Sequence, residues 1–241
     1  MFGASLSGRI AIISELPGEA GKIIGDETWD VLIHPDGLRT LRARALLLDE
    51  PVVVRDINQT VDATFHPHDG YARIVVGGLF RGSGWFRFTD TQAECEAFTT
   101  ADGRVSQVFP ITRNLRGFGT HALQSDAWLL AKYDLSQGPG VQYFRNNLMT
   151  SIDHRGSTGP IFMTTNSGLE YVGRDKIDVP AGVFDCHHFR FVATSNNHPP
   201  YDVWVSADGH YTFVHAKLAG SRAQRFDLVT YAEGDQNSYP R

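Results

Sequence analysis

Ten histidines among 241 residues are the first place to look for chemistry, because imidazole is the side chain that titrates near neutral pH. His215 lies at even spacing from Tyr211 and Lys217, and period-2 strand geometry groups the three on one face. His188 precedes Arg190 by two residues and shares a strand face with it. His121 opens a helix-forming segment, where the helix dipole disfavours imidazolium and leaves a neutral base or donor. Arg155, beside His154, has the forked donor geometry that holds a carboxylate or phenolate. His121, His188 and His215 are therefore candidate catalytic residues, and Arg155, Tyr211 and Lys217 candidate substrate contacts. Each has an ordinary alternative, a hydrogen-bonded structural histidine or a surface cation, since buried polar groups generally find partners.

Other chemistries lack their signatures. His66-Pro67-His68 and His187-His188 are the densest histidine clusters. Consecutive strand residues point to opposite faces, and Pro67 places its neighbours at a strand end. No His-x-x-x-His or His-Glu-x-x-His spacing occurs, so no metal site is expected, although ligands converging from distant strands stay open. There is no phosphate-binding Gly-x-x-x-x-Gly-Lys loop and no Gly-x-Ser-x-Gly elbow; Arg81-Gly82-Ser83-Gly84 has the wrong spacing. Cys95 and Cys186 have no Cys-x-x-Cys partner. Nothing points to a nicotinamide, flavin or pyridoxal cofactor, and none is expected.

The elements that must position these groups are strands. Hydrophobic residues make up 41% and charged residues 20%, enough for a packed core. Dense glycine and proline punctuate short apolar runs, the strand-like ones falling between residues 9 and 112 and between 168 and 231. The turns include His34-Pro35-Asp36-Gly37, Ala101-Asp102-Gly103 and Ala207-Asp208-Gly209, and Asp-Gly between alternating runs is a strong hairpin signal. This predicts one domain over residues 1–241, mainly β, a single strongly curved antiparallel meander of half-barrel or barrel-like form. Residues 121–133 form the one helix, with Thr120 as N-cap and Gly138-Pro139-Gly140 as a stop. Residues 146–168 read as a long loop, and 234–241 as a frayed tail.

Several strand faces carry aromatic and basic groups together: Tyr71 with Arg73, Trp85 with Arg87, Arg42 with Arg44, and Arg225 with Asp227 and Tyr231. Such a face is either solvent-exposed, with cation stems laid over rings, or the lining of a ligand cavity in a curved sheet. The net charge of −5, without a basic stripe, argues against nucleic acid as a partner. No apolar run is long enough for a membrane helix, and no secretory leader pattern appears. With two isolated cysteines, the cytoplasm is the expected setting.

The stretch Tyr171-Val-Gly-Arg-Asp-Lys-Ile-Asp-Val-Pro-Ala-Gly-Val-Phe-Asp-Cys-His-His-Phe-Arg-Phe191, followed by His198-Pro-Pro-Tyr-Asp-Val-Trp-Val205, resembles a bacterial β-rich family of uncharacterised function. Its members form curved half-barrels similar to lipoprotein carriers. The resemblance covers residues 168–231, and earlier only Thr120-His121…Asp126-Ala127-Trp128 and Gly156-Ser157-Thr158-Gly159-Pro160. It implies the curved sheet and marks His121, Asp126, Trp128, His188, His198, Tyr201 and Trp204. Asp126 thereby joins the candidate catalytic residues, and Tyr201 and Trp204 the substrate contacts. A fainter likeness, carried by no single motif, is to cofactor-free lyases of bacterial aromatic catabolism that release formaldehyde from lignin-derived dimers.

The expected function is a cofactor-independent lyase using acid–base chemistry on a hydrophobic, aromatic small molecule held in a cavity walled by Trp, Tyr and Phe. The alternatives are a non-catalytic carrier of a lipid-like ligand and an interaction module with no cavity. Assembly into a homo-oligomer is left open.

Overall fold

The computed structural model describes residues 3–112, 114, 115, 117–194 and 198–235. Most of the expected tail, 236–241, lies outside them. The chain first runs through β1 (Ala4–Ser14), β2 (Ile23–Ile33), β3 (Arg39–Leu47), β4 (Val53–Val61), β5 (Pro67–Val76), β6 (Leu79–Phe88), β7 (Gln92–Thr99) and β8 (Gly103–Pro110). It continues through α1 (Leu123–Leu129), then β9 (Gly140–Met149), β10 (Met163–Val179), β11 (Gly182–Val192), β12 (Tyr201–Ser206), β13 (Phe213–Leu218) and β14 (Gln224–Asp235).

All strands pair antiparallel in one open sheet of order 8-7-6-5-4-3-2-1-14-13-12-11-10-9. The chain thus starts in the middle, meanders to one edge, crosses to the other, and returns until β14 zips onto β1 over Ala4–Ser14. The crossing carries α1 into the concavity. Glu27 of β2 and Gln59 of β4 reach the helix from one half of the sheet, and Phe213 of β13 from the other. The sheet therefore wraps around the helix.

The curvature keeps the strand alternation. In β4 the inward residues Val53, Arg55, Ile57, Gln59 and Val61 are all buried, alternating with more exposed positions. Three buried positions on β2 and β4, the strands that flank β3, are polar: Glu27, Arg55 and Gln59. Burying them is costly unless each is partnered. Gln59 accepts a 2.5 Å bond from Ser125 Oγ and donates to the Phe118 carbonyl. Glu27 accepts the amide N–H groups of Leu123 and Gln124 at 2.8 and 3.0 Å.

That last contact explains where the helix begins. Residue 122 is an alanine with no capping side chain, and Thr120 lies too early. A carboxylate from β2 satisfies the first free N–H groups instead, and suits the positive end of the helix. Gln124 bolts the other side, donating to the Tyr211 carbonyl and accepting from Phe213 N. The expected helix over 121–133 is accordingly shorter, with a 3-10 turn at Leu130–Lys132 completing it. The expected loop over 146–168 is shorter at both ends: β9 runs to Met149 and β10 starts at Met163, which leaves residues 150–162 between them.

Aromatic residues are consumed by the core more than by a cavity. Phe86, Phe88, Phe118 and Phe162 pack ring against ring at 5.0–5.8 Å, tying the crossing segment and the 150–162 segment to β6. Gly84 makes this possible, because a Cβ there would meet the Pro160 carbonyl oxygen at 2.6 Å. On the convex side of β3–β6, Arg42, Arg44 and Arg87 are exposed, and Trp85 is 68% exposed beside Tyr71. There the mixed faces are solvent faces.

Candidate functional site

Inside the curl, two adjoining lobes share His121, Asp126, His154, His198 and Tyr201 in their walls. The first is completed by Lys132, Asn147 and Phe191, the second by Arg55, Arg155, Arg222 and Phe226. Each has a volume of ≈ 70 Å³. Together they approach the ~150 Å³ that accommodates a benzene-sized molecule. A lining so rich in titratable groups differs from the aromatic-walled cavity expected of these strands.

His121 is placed by the turn before α1 in a left-handed backbone conformation, φ 62°. A non-glycine residue is uncommon there and costs of order 1 kcal/mol, and such strain clusters at functional sites. Two contacts hold the ring. Gly156 packs so close that a Cβ there would lie 2.7 Å from His121 Cβ. His121 Nε2 bonds the Ser151 carbonyl at 3.0 Å. A carbonyl only accepts, so the proton sits on Nε2 and Nδ1 is the basic nitrogen.

Burial, reinforced by the Arg55 charge, pushes His121 down to about 4, so it is neutral at physiological pH. Asp126, one helical turn along α1, moves the other way. Burial raises it to about 7, with Arg55 opposing and Glu27 adding to the rise. Two groups in one cavity whose environments drive their affinities for protons apart divide the roles. Asp126 is the group poised to give and take a proton near pH 7, and neutral His121 the hydrogen-bond partner. Glu27 is also raised to about 7 by burial, against its two backbone N–H bonds and Arg55. Tyr201 is raised well above its ordinary value by burial and by the nearby carboxylates of Asp126 and Glu27, so it stays a phenol and a donor.

Cations guard the second lobe. Arg55 donates to the Arg155 carbonyl. Arg155 in turn donates to the Asp49 carboxylate at 2.9 Å and to the Pro51 carbonyl at 3.1 Å. Asp49 also meets Arg222 at 3.4 Å. Two guanidiniums, those of Arg155 and Arg222, share the Asp49 carboxylate, and Arg55 feels Glu27, Asp126 and Asp153. His154 and His198 stand 5.9 Å apart, and His198 packs 5.5 Å from Tyr201.

His188, His215, Trp204 and Lys217 occupy the opposite face of the sheet. Cross-strand pairing aligns His188 with Trp204, Trp204 with His215, and His215 with Asp227. Tyr201 and Val203 alternate with this row and point inward. Trp204 stacks on His188 at 4.0 Å and meets His215 at 5.0 Å. His188 bonds Asp202 and His215 bonds Asp227, both at 2.7 Å. Arg190 bonds the same Asp202, as its shared face with His188 requires. Lys217 lies 5.9 Å over the Trp204 ring. Burial by itself would raise Asp227, but the hydrogen bond and charge of His215, with Arg225, hold it below the ordinary carboxylate value.

The expected patch of His215, Lys217 and Tyr211 is divided. A bulge between Trp204 and Val205 makes Phe213 pair with Val205 and His215 with Trp204, which resets the alternation. Tyr211, itself at φ 52°, packs on Phe65 at 5.3 Å and His187 at 6.2 Å. A second bulge, opposite Arg9 and Ile10, separates Tyr231 from Arg225 and Asp227. The structure thus gathers His121, Asp126, Arg155 and Tyr201, and sets Trp204, His188, His215 and Lys217 together elsewhere.

Sequence reasoning missed Glu27, Arg55 and Lys132. The first two had a signal: a charge at an inward position of a strand whose inward neighbours, Gly25 and Trp29 or Val53 and Ile57, are apolar or small. Lys132 follows helix formers and had none. Among the described residues no three His, Cys, Asp or Glu side chains are placed to hold a metal ion.

These features define a class: an open, curled antiparallel meander whose concavity is filled by a helix and a small polar cavity. The same architecture is found in a solved structure, a β-barrel-like protein of domain of unknown function DUF1849 from Brucella abortus. It superposes with a TM-score of 0.57 over 98% of this chain and 99% of that one, at 11% identity. The likeness is one of fold, to a bacterial β-rich protein of uncharacterised function. A Bacteroides fragilis protein with a YmcC-like fold gives a TM-score of 0.32 at 8% identity, covering 96% of each chain, too low to speak for a shared fold. No protein-family model and no curated protein matches the sequence. Among the described residues no helix is long and apolar enough to cross a membrane.

Proposed function

We propose that the chain is a cofactor-independent lyase that breaks a carbon–carbon or related bond in a small, partly apolar oxygenated molecule by acid–base chemistry. The observation that carries this reading is the shared wall of the two lobes. There a carboxylic acid raised to about 7, Asp126, stands with a histidine held neutral, His121. Strongly shifted groups around a cavity mark functional sites, because a proton carrier works best with an affinity near the working pH.

In this reading Asp126 takes the proton of a substrate hydroxyl, the hydroxyl carbon becomes a carbonyl as the adjoining carbon–carbon bond breaks, and Asp126 returns the proton to the carbon that keeps the electron pair. His121 Nδ1 accepts, and the Tyr201 hydroxyl donates to the oxygen that gains charge. Arg55 and Arg155 favour an acidic or phenolic group at the other end of the substrate. The volume suits one aromatic ring. A lignin-derived dimer losing formaldehyde would place its reacting ring here and leave the second outside. The polar lining and small volume speak against an acyl chain, although the fold is compatible with a carrier. The proposal includes a cytoplasmic setting, supported by Cys95 and Cys186, both buried and free.

The test is a panel of single-ring and two-ring aromatic alcohols beside fatty acids, followed by thermal shift and product analysis. Turnover that disappears in Asp126→Asn and His121→Ala while binding persists supports the lyase. Tight fatty-acid binding without turnover replaces it with a carrier.

A further inference from the structure

Lys132 stands where the inner cavity meets the surface. It lines the first lobe, and it also lines a groove of ≈ 600 Å³ between the end of β8, where Pro110, Ile111, Thr112, Asn114 and Leu115 face it, and Tyr143–Asn147 of β9. Those are the two edges of the sheet, so the groove is the seam of the open barrel. Asn147 lines both spaces as well. The lysine and asparagine therefore form the partition between groove and lobe.

The company of this lysine is unusual. Its Nζ donates to Asn147 Oδ1 at 2.9 Å and lies 4.7 Å over the Phe144 ring. Neither partner is a carboxylate. The residue is half-buried, set between the inner lobe and the groove. Asn147 is itself fixed, donating to the carbonyls of Phe144 and Thr165 and to Ser167 Oγ. A cation in such a place is poorly compensated, since an amide oxygen and a ring give far less than an ion pair. Burial pushes Lys132 down to about 7, so a sizeable share is free amine at neutral pH. A desolvated lysine amine is the usual nucleophile toward carbonyl carbon.

We propose that Lys132 forms an imine with a carbonyl substrate entering through the seam, and that the substrate class is a β-hydroxy ketone or aldehyde. This rests on the acid–base reading of Asp126 and His121 and supplies its electron sink. The amine of Lys132 adds to the carbonyl carbon, a carbon–nitrogen double bond forms, and the carbonyl oxygen leaves as water. Asp126 then removes the proton of the β-hydroxyl. The bond between the α and β carbons breaks, its electron pair enters the enamine, and the β carbon departs as an aldehyde. The enamine takes a proton at carbon from Asp126. Water hydrolyses the imine, freeing the shortened ketone and the lysine.

The experiment uses the full chain with 4-hydroxybutan-2-one at neutral pH, with and without sodium cyanoborohydride, and peptide mapping of the product. One reduced adduct on Lys132 is expected, formed on the order of 10²–10³-fold faster than on Lys22, Lys176 and Lys217. Without reductant, formaldehyde and acetone should appear together. Lys132→Met keeps the unbranched stem, leaves no charge to bury and cannot form an imine, so it should lose both signals with its melting temperature little changed. Labelling spread evenly over all four lysines, or sparing Lys132, overturns the proposal. If Lys132 stays unlabelled while a carbonyl-free alcohol is cleaved by an Asp126-dependent route, the imine falls and the acid–base reading stands. If Lys132 is labelled and no bond is cleaved in any substrate, the lyase reading falls and a carbonyl-binding lysine remains.

Discussion

Tyr201 and Trp204 lie three residues apart on β12 and face opposite sides of one sheet. On Trp204's side each histidine has an aspartate at 2.7 Å, and the pairs clamp the indole between them. On Tyr201's side Asp126 makes no side-chain hydrogen bond among the described residues, and His121 bonds only a backbone carbonyl. The residue types are the same. In the outer cluster the charges neutralise one another, continuing to Glu170 through Arg190 and to Glu15 through Arg225. In the cavity Asp126 and His121 are desolvated without an ion pair, and each shifts toward its neutral form. Pairing makes structure, and unpaired burial makes a reactive group.

The largest expected effect is on turnover. Asp126→Asn and His121→Ala should lower kcat/KM by about 10²–10⁴-fold, the usual worth of a positioned proton carrier. His188→Ala and His215→Ala should stay within about 5-fold once folded protein is compared, since their partners are structural. Equal losses on both faces would break the comparison.

Unfolding in urea should show the reverse. Trp204→Ala removes a ring that is 8% exposed, and large aromatic truncations of this kind cost about 3–5 kcal/mol. Tyr201→Phe, which keeps the ring, should cost under about 1 kcal/mol. A Tyr201→Phe loss as large as that of Trp204→Ala would mean that the cavity wall is as structural as the outer cluster.

The pH dependence of stability separates His121 from Asp126. His121 falls from 6.5 to about 4 on folding, so the folded state binds fewer protons between those values. Its contribution is complete above pH 6.5 and is lost as pH falls toward 4. Asp126 rises from 3.8 to about 7, so the folded state binds more protons and stability is lost as pH climbs through that window. Relative to the unsubstituted chain, Asp126→Asn should therefore gain stability from pH 4 to 7, and His121→Gln should gain it from pH 6.5 down to 4. Slopes of opposite sign, each amounting to at most about 3–4 kcal/mol across the window, are the expected reading of urea titrations. Slopes of the same sign would remove the division of roles.

A comparably small effect belongs to the helix start. Glu27→Gln leaves one acceptor oxygen for two backbone N–H groups and should cost about 1 kcal/mol, read as a lower urea midpoint. Far-UV circular dichroism should show the helix still formed, because Gln59 and Gln124 hold it from other strands.

Much of the fold was legible in the chain because a meander is built from local signals. Asp-Gly and Pro-Asp-Gly turns and period-2 runs give hairpins, and successive hairpins give neighbouring strands. The part that was not legible depends on distance. Helix formers over 121–133 could not reveal that the cap is Glu27, 96 residues before the first N–H it accepts. The strand ends within 146–168 read as loop because β9 is an edge strand and neither it nor its neighbour β10 alternates cleanly there.

The sequence by itself determined a single antiparallel sheet, its curvature and the candidates His121, Asp126, Arg155 and Tyr201, since turn chemistry, alternation and motif likeness are properties of short stretches. Only the tertiary structure decided which candidates share a cavity and which share the outer face. Two bulges, at Trp204–Val205 and opposite Arg9–Ile10, flip the side of every residue beyond them. A one-residue change of register leaves no trace in local composition, and the sheet resolves it only by pairing with its neighbours.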